Sequence, residues 1–220
     1  MGSADNKRRP YDASRRRAAA EERRLAMVAA AREAFEERGW AAVRMREVAE
    51  AAGVSQKLVE AVFRTKSALL QAAVDYAIRG DVDPLPMPER ESVRAMEAAS
   101  DAAEMLRLHA RHLRLINARS ARIAAVVEHA APADPAVAGL WREMNRNRRY
   151  AVDWATETFL RKRGRRRGLS RARVAAAFWV ALDWSTYRTL TDLAGLDDDG
   201  YEEWLRNYYA GQLLPPGGAR

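Results

Sequence analysis

The chain has 220 residues, of which 48% are hydrophobic and 31% are charged, a composition that predicts one or two sizeable buried cores and excludes a disordered chain. The absence of Cys excludes disulfides and thiolate metal sites. No apolar run reaches the length of a membrane span or resembles a signal-peptide core, so we expect a cytoplasmic protein with no membrane partner.

The net charge of +8 favours a polyanionic partner, although many basic proteins carry solvated charge with no such partner. Arg is far more frequent than Lys, and Ala is abundant throughout the chain. This bias is typical of a GC-rich bacterial genome.

The first 17 residues have no apolar periodicity, contain Pro10 and are rich in Arg. The pattern predicts a disordered basic arm over residues 1–17. Basic arms beside a DNA-binding motif can enter an A·T-rich minor groove. A tail that only aids solubility fits the pattern equally well.

A long first helix is predicted over residues 18–38. Val28 and Phe35 belong to its apolar stripe, and Gly39 is expected to end it. Trp40 is expected to lie in the core of the small domain that this helix covers.

Residues 45–70 have the pattern of two short helices joined by a tight turn. Val48 and Ala49 give an apolar helical stripe, Gly53 ends that helix, and Ser55 is placed to cap the next one. Gly suits the turn because it adopts left-handed backbone angles at little cost. The pattern is that of a helix-turn-helix.

The second helix of this pair has two different faces. Val59 and Phe63 are spaced to face inward, which leaves Gln56, Lys57 and Glu60 outside. Gln pairs with adenine and Lys reaches guanine or phosphate, so this outer face suits a major groove. The alternative is an ordinary helical hairpin with a solvated polar face.

Several short runs between Ala29 and Leu69 occur together in a fixed order. They are Ala29 to Phe35, Glu37-Arg38-Gly39-Trp40, Arg46-Glu47-Val48-Ala49, Ala52-Gly53-Val54-Ser55, Phe63, and Thr65-Lys66-Ser67-Ala68-Leu69. On these residues the chain resembles the N-terminal DNA-binding domain of the TetR family of transcriptional regulators. The resemblance implies an all-α homodimer in which three N-terminal helices bind operator DNA. It also implies a larger helical C-terminal domain that binds a small-molecule effector and dimerises.

The recognition helix departs from the usual family pattern. Lys57-Leu58 replaces Gly-Thr, Glu60 and Val62 replace two Tyr, and Arg44 replaces the Thr that caps the preceding helix. We expect Gln56 and Lys57 to read bases and Arg44 to bind phosphate. The full predicted DNA-binding set is Arg44, Arg46, Ser55, Gln56, Lys57, Glu60 and Lys66.

The clearest boundary is residues 81–88, which contain three Pro. Before it, Thr65 caps a helix running to about Gly80; after it, helices are predicted at about 89–98, 101–130 and 136–163. The predicted domains are the arm at 1–17, the helix-turn-helix domain at 18–70, an effector-binding and dimerisation domain at 71–214, and a flexible tail at 215–220.

Residues 161–168 contain six cations in eight positions. Such a run can touch nucleic acid or an acidic membrane surface. Between two helices, and far in sequence from the helix-turn-helix, a solvated loop is the favoured interpretation.

Two helices are predicted at the C-terminus. Ser170 caps the first, which extends through Leu190, and the second begins at Asp199 with Glu202 in an acidic capping box. They resemble the TetR pair that meets its dimer mate as a four-helix bundle. The same aromatic-rich pattern also fits a buried monomer core.

The C-terminal domain has more Met and large aromatic residues than simple helix packing requires, which indicates a mostly apolar effector pocket. A closed core or a dimer seam is the alternative for any one of these residues. The predicted ligand-binding residues are Met105, Leu108, His112, Trp141, Met144, Asn145, Trp154, Phe178 and Asp183, with Trp179, Tyr187 and Arg148 as further candidates.

No motif for catalysis or a cofactor is found, so we expect neither an enzyme nor a cofactor. His109 and His112 lie three apart, but without a third ligand a metal site is weakly supported, and surface histidines are favoured.

The leading hypothesis is a sequence-specific, nucleoid-associated regulator, in this family most often a repressor that a small apolar effector releases from a palindromic operator. The competing hypothesis is a protein-interaction or nonspecific nucleic-acid-binding module with the same fold and no defined operator.

Overall fold

The computed structural model of the protein describes residues 11–81 and 86–216, and of residues 11–14 it describes the backbone only. Within these ranges the fold has ten α-helices and no strand, which confirms the all-α prediction. The helices are α1 (Tyr11–Ala42), α2 (Met45–Ala51), α3 (Gln56–Phe63), α4 (Lys66–Arg79), α5 (Glu91–Ala98), α6 (Ala102–Ala130), α7 (Pro135–Leu160), α8 (Arg171–Ala181), α9 (Trp184–Arg188) and α10 (Asp198–Leu213), with a 3₁₀ turn at Met87–Glu89 and a π-helical turn at Thr189–Leu193.

The chain divides into two compact units, Met1–Ala73 and Val74–Arg220. Helix α4 contributes residues to both units. No helix of the described residues is long and apolar enough to cross a membrane.

Helix α1 begins at Tyr11, earlier than the predicted start at Ala18. Residues 11–17 are therefore helical, and the prediction that they belong to a disordered arm is wrong. The remainder of that arm, residues 1–10, lies outside the described residues. Ala and Arg are strong helix formers and no Gly or Pro follows Pro10 in this stretch, so an established helix extends here without an apolar face.

The predicted stop at Gly39 is present as an interruption of α1, with φ 74° and ψ 173°. These angles are accessible to Gly at little cost. Trp40 follows the interruption and stacks on Phe35, with ring centroids 5.8 Å apart. The buried core of this unit includes Met27, Val28, Ala31, Phe35, Val43, Val48, Val59, Phe63, Leu69 and Leu70.

Helix α6 is central to the C-terminal unit and packs against α5, α7, α9 and α10. Its start is capped by Asp101, which accepts from the Glu104 backbone N–H, and Asp134 caps α7 by accepting from Ala136 N–H. The core that these helices enclose includes Met96, Met105, Leu106, Leu113, Phe159, Phe178, Tyr201, Leu205 and Tyr209.

The predicted continuous helix from Ser170 through Leu190 is interrupted. Helix α8 ends at Ala181, and Asp183 caps α9 by accepting a hydrogen bond from Ser185 N–H at 2.9 Å. An Asp side chain offers the backbone a local alternative to the helical hydrogen bond, which accounts for the break.

The last helix also begins one residue earlier than predicted, at Asp198 rather than Asp199. Its cap is Asp197, which accepts from Gly200 N–H at 2.8 Å. The predicted acidic capping box is wrong, because Glu202 is buried and forms ion pairs with Arg114 and Arg206 instead.

The cationic segment at residues 161–168 is built into the fold through helix ends. Lys162 Nζ donates to the carbonyl of Ala99, just after α5, at 2.7 Å. Arg165 donates to Leu160 O, the last residue of α7, and Arg166 to Gly211 O near the end of α10. Carbonyls at helix C-termini lack helical partners and carry partial negative charge, so they attract these cations.

Candidate nucleic-acid interface

The turn between α2 and α3 has the geometry that its sequence predicts. Gly53 has φ 66°, and Val54 N–H donates back to Ala49 O at 3.0 Å. Ser55 then caps α3, with its hydroxyl oxygen accepting from Leu58 N–H at 3.2 Å. These local contacts fix the direction in which α3 leaves the turn.

Helix α3 has a buried side and an exposed side. Val59 is fully buried and Phe63 is 6% exposed, whereas Gln56, Lys57 and Glu60 are exposed. The predicted division of this helix into an inner and an outer face agrees with these exposures. The outer face is therefore available to a major groove.

Two of the exposed side chains on α3 are joined. The Gln56 side-chain amide donates to Glu60 Oε1 at 2.7 Å. Together they present hydrogen-bonding groups on one side of the helix, since residues four apart are neighbours there.

The start of α2 keeps half of a capping box although Arg44 occupies the cap position. Glu47 accepts from the Arg44 backbone N–H at 3.4 Å and from Arg38 Nη1 at 2.7 Å. The backbone hydrogen bond from Arg44, followed by the hydrogen bond and charge of Arg38, lowers the pKa of Glu47. The Arg44 side chain is exposed at this helix start, and Arg46 pairs with Glu50 at 3.4 Å.

Lys66 lies at the first position of α4, which Thr65 caps by accepting from Ala68 N–H at 3.1 Å. Its Nζ is 4.3 Å from the centroid of the Trp40 ring. Sequence reasoning missed this contact, because the two residues are distant in the chain. The cation–π contact restricts the ammonium group at the N-terminus of a helix, where phosphate is also favoured.

Arg64, between α3 and α4, is the one non-Gly residue with positive φ in the described part of the chain, with φ 61° and ψ −45°. Thr65 N–H donates to Phe63 O at 2.6 Å, so Arg64 is the central residue of a strained γ-turn. No sequence signal identifies this turn.

The predicted effector residues are spread over the C-terminal unit. Met105 and Phe178 are fully buried in its core, and Leu108 and Trp154 pack against that core. Met144, on α7, is buried outside this core cluster. The remaining members of the predicted set are partly exposed: His112, Trp141, Asn145 and Asp183.

Polar contacts already hold several of these side chains. Asn145 donates to Trp141 O at 2.9 Å, and Trp154 Nε1 donates to Glu97 at 3.0 Å. Asp183, besides capping α9, lies 3.5 Å from Arg148 Nη1.

The prediction that His109 and His112 lie on the surface is wrong for His109, which is 3% exposed and hydrogen-bonded to Tyr209 Oη at 2.7 Å. Burial lowers the pKa of His109 to about 3, with a smaller contribution from His112. Burial also lowers the pKa of His112 to about 4, and repulsion from Arg119 and Arg90 adds to the effect. Among the described residues, no group of three potential ligands could hold a metal ion.

Residues 27–73, which contain the helix-turn-helix, match the family model described as "Bacterial regulatory proteins, tetR family". This segment therefore has the sequence of a TetR-family DNA-binding domain. The resemblance inferred from the sequence is thereby confirmed. Among the curated proteins, none matches this chain.

Solved structures share the fold of this chain over most of its length. NalD from Pseudomonas aeruginosa, described as the secondary repressor of the MexAB-OprM multidrug efflux pump, is 20% identical with a TM-score of 0.68, covering 90% of this chain and 98% of NalD. A protein from Rhodococcus sp., described as a TetR-family transcriptional regulator, is 17% identical with a TM-score of 0.63, covering 87% and 98%.

A third structure is described as a transcriptional regulator from Saccharomonospora viridis in complex with choline. It is 16% identical with a TM-score of 0.65, covering 89% of this chain and 99% of that protein. At these identities the likeness establishes the fold. The likeness to bacterial DNA-binding regulators rests on residues 27–73, which match the tetR family model.

Proposed function

We propose that this chain is a sequence-specific DNA-binding regulator that acts as a repressor on a palindromic operator. The observation that carries the proposal is the exposed set of Gln56, Lys57 and Glu60 on α3, held over the buried Val59 and Phe63. This set lies within the segment that matches the TetR-family model. Gln, Lys and Glu offer donors and acceptors that distinguish base edges in the major groove.

Phosphate contacts are proposed to come from Arg44, Arg46 and Lys66. Arg44 and Arg46 are exposed at the start of α2, and Lys66 lies at the start of α4. Cations at these positions fix orientation on DNA without contributing sequence preference.

A homodimer is part of the proposal, because a twofold protein matches a palindromic site. Two recognition helices must then meet half-sites about 34–36 Å apart or a multiple of that distance. Exposed apolar side chains that a second copy would cover occur on α8, where Val180 is 42% exposed, and in the π-helical turn before α10, where Leu193 is 83% exposed.

An effector is proposed to bind in the C-terminal unit and weaken operator binding. Arg119 on α6 donates to Ala77 O and Ile78 O in the last turn of α4, so a shift of α6 would be passed to α4. The choline complex of the Saccharomonospora viridis protein supports small-molecule binding by this fold. By linkage, a bound effector should raise the melting temperature and lower operator affinity together.

A nonspecific nucleic-acid-binding or protein-interaction module is the second candidate. The observation that favours it is Glu60 on the exposed face of α3, because a carboxylate there repels phosphate.

Selection of bound fragments from random DNA, followed by binding at moderate salt, separates the two candidates. The regulator should enrich a palindrome and bind it at least about 10³-fold more tightly than scrambled DNA of the same length. A variant with Gln56, Lys57 and Glu60 all changed to Ala should lose this ratio. Equal affinity of the wild-type protein for the enriched and scrambled sequences would favour the second candidate.

A further inference from the structure

Arg148 on α7 lies in an unusual aromatic setting. The centre of its guanidinium group is 5.2 Å from the Trp179 ring centroid and 5.5 Å from that of Trp184. Trp184 is oriented by a hydrogen bond from its Nε1 to Ser120 Oγ at 3.2 Å. Both distances are within the range of cation–π attraction, so the two rings hold the guanidinium in place.

The hydrogen bonding of Arg148 is incomplete. Only 16% of its side chain is exposed, and its Nε atom is buried with no acceptor among the described residues. Its ion partner Asp183 is 3.5 Å from Nη1, and the same Asp183 oxygen also accepts from Ser185 N–H. A buried donor without an acceptor is costly, so this site favours a ligand that supplies one.

The surroundings of Arg148 are positive and partly accessible. Arg149 also lies over Trp179, at 5.8 Å, so two guanidinium groups share this ring, and Arg148 pairs with the carboxylate of Asp183. Trp141, Trp179 and Trp184 are each partly exposed, and Trp141 and Trp184 are 6.2 Å apart. Each of the three indole rings therefore keeps part of its surface available to a ligand.

We propose that the Arg148 cluster, defined as Trp141, Arg148, Arg149, Trp179, Asp183 and Trp184, is a binding site for a planar organic anion such as an aromatic carboxylate. The carboxylate supplies the acceptor that Arg148 lacks, in the planar geometry that guanidinium groups bind best. The aromatic body of the ligand packs against the indole rings. The role of this site as the effector site rests on the proposed function; the binding itself does not.

An organic cation is disfavoured at the same position. It would lie beside Arg148 and Arg149, and the charges would repel each other. Asp183 offers little compensation because its nearer oxygen already serves Arg148 and the cap of α9.

Isothermal titration calorimetry of the full-length protein with three naphthalene ligands that differ in charge tests the proposal. They are 2-naphthoate, the neutral 2-naphthylmethanol and the cation 2-naphthylmethylammonium. Binding of 2-naphthoate should be at least about 10-fold tighter than binding of the other two, as expected for a charge-assisted hydrogen bond. No binding of 2-naphthoate, or binding of the cation as tightly, would overturn the proposal without any need for a variant.

Substitutions then locate the site. Arg148→Gln should weaken 2-naphthoate binding by about 10- to 100-fold, and Arg148→Lys by an intermediate factor because it keeps the charge but loses the planar fork. Arg146→Gln, at an exposed position on the same helix, should change the affinity for 2-naphthoate by less than about 2-fold. Unchanged binding by both Arg148 variants would overturn the assignment to this cluster.

Repeating the 2-naphthoate titration with selected operator DNA present separates this inference from the proposed function. Tight binding to the cluster with no change in operator affinity supports the site and contradicts its effector role.

Discussion

The side-chain amide of Gln56 donates a hydrogen bond to Glu60 across one turn of α3, at 2.7 Å. Bidentate pairing of Gln with adenine uses both the amide nitrogen and the amide oxygen. Gln56 must therefore share or exchange its bond to Glu60 when it meets a base. The contribution of Gln56 to sequence preference should therefore depend on the residue at position 60.

Gln56→Ala should cost about 1–3 kcal/mol of operator binding and relax preference at a single base pair. Binding to a panel of operators with each position varied measures this effect. A double-mutant cycle with Glu60→Ala should show coupling, because the two side chains share a hydrogen bond. Equal loss of affinity on operator and random DNA would remove Gln56 from the set of base-reading residues.

Lys66→Ala should weaken binding to all DNA sequences alike, because a phosphate contact carries no base preference. The slope of log K against log salt concentration should become shallower by about 0.9 for the lost contact. Fluorescence anisotropy at several salt concentrations gives the slope. Arg142→Ala, at an exposed position on α7, is the control and should leave it unchanged. An unchanged slope for Lys66→Ala would contradict the phosphate contact.

Arg64→Gly should leave the stability of the N-terminal unit unchanged or raise it by up to about 1 kcal/mol, since Gly tolerates the positive φ at this position. Ala61→Gly, at an exposed helical position of α3, should instead destabilise by about 1 kcal/mol. Denaturant unfolding of both variants measures the contrast. Destabilisation of similar size in both would show that the backbone at Arg64 is not strained.

The full-length chain should sediment as a dimer at micromolar concentration. Val180→Asp on α8 should weaken that dimer at least about 10-fold, because it places a charge in the proposed interface. Leu115→Asp on α6 is a matched control, since Leu115 is 45% exposed and Val180 is 42% exposed. A monomeric wild-type protein, or an equal effect of both substitutions, would contradict dimerisation through the C-terminal helices.

Acid should destabilise the C-terminal unit through its histidines. The pKa of His112 is lowered to about 4 and that of His109 to about 3 in the folded protein, against about 6.5 in an unfolded chain. At pH values between the folded and unfolded pKa, the unfolded state binds more protons than the folded state. The free energy of unfolding is therefore highest above about pH 6.5 and falls as the pH decreases.

His112→Asn should reduce the dependence of unfolding free energy on pH by about 1.4 kcal/mol per pH unit between pH 5 and 6. Urea unfolding at several pH values measures it. The same slope in wild type and variant would show that His112 titrates normally in the folded state.

The features that the sequence predicts well are local ones. Gly53, Ser55 and Thr65 form their turn and caps through neighbours within a few residues, so residue type and spacing suffice. The inward spacing of Val59 and Phe63 follows from helical periodicity in the same way.

The features that the sequence does not predict depend on residues distant in the chain or on local side-chain hydrogen bonds that compete with the helix. Lys66 on Trp40 and Arg148 beside Trp179 join residues far apart in the chain. Asp183 interrupts a helix whose apolar pattern continues past it, so periodicity alone gives no sign of the break. Met105 and Phe178, predicted to bind a ligand, are fully buried in the core, because helical periodicity gives the same apolar pattern for core and pocket residues.

The cationic segment at residues 161–168 has a consequence for proteolysis. Trypsin cleaves after Lys and Arg, so a freely solvated loop with this composition would be cut first. Lys162, Arg165 and Arg166 are instead held on carbonyls at or near the ends of α5, α7 and α10, and Arg163 O accepts from Ala102 N–H. Cleavage here requires those helix ends to separate, so its rate should report opening of the C-terminal unit rather than the number of basic residues on the surface.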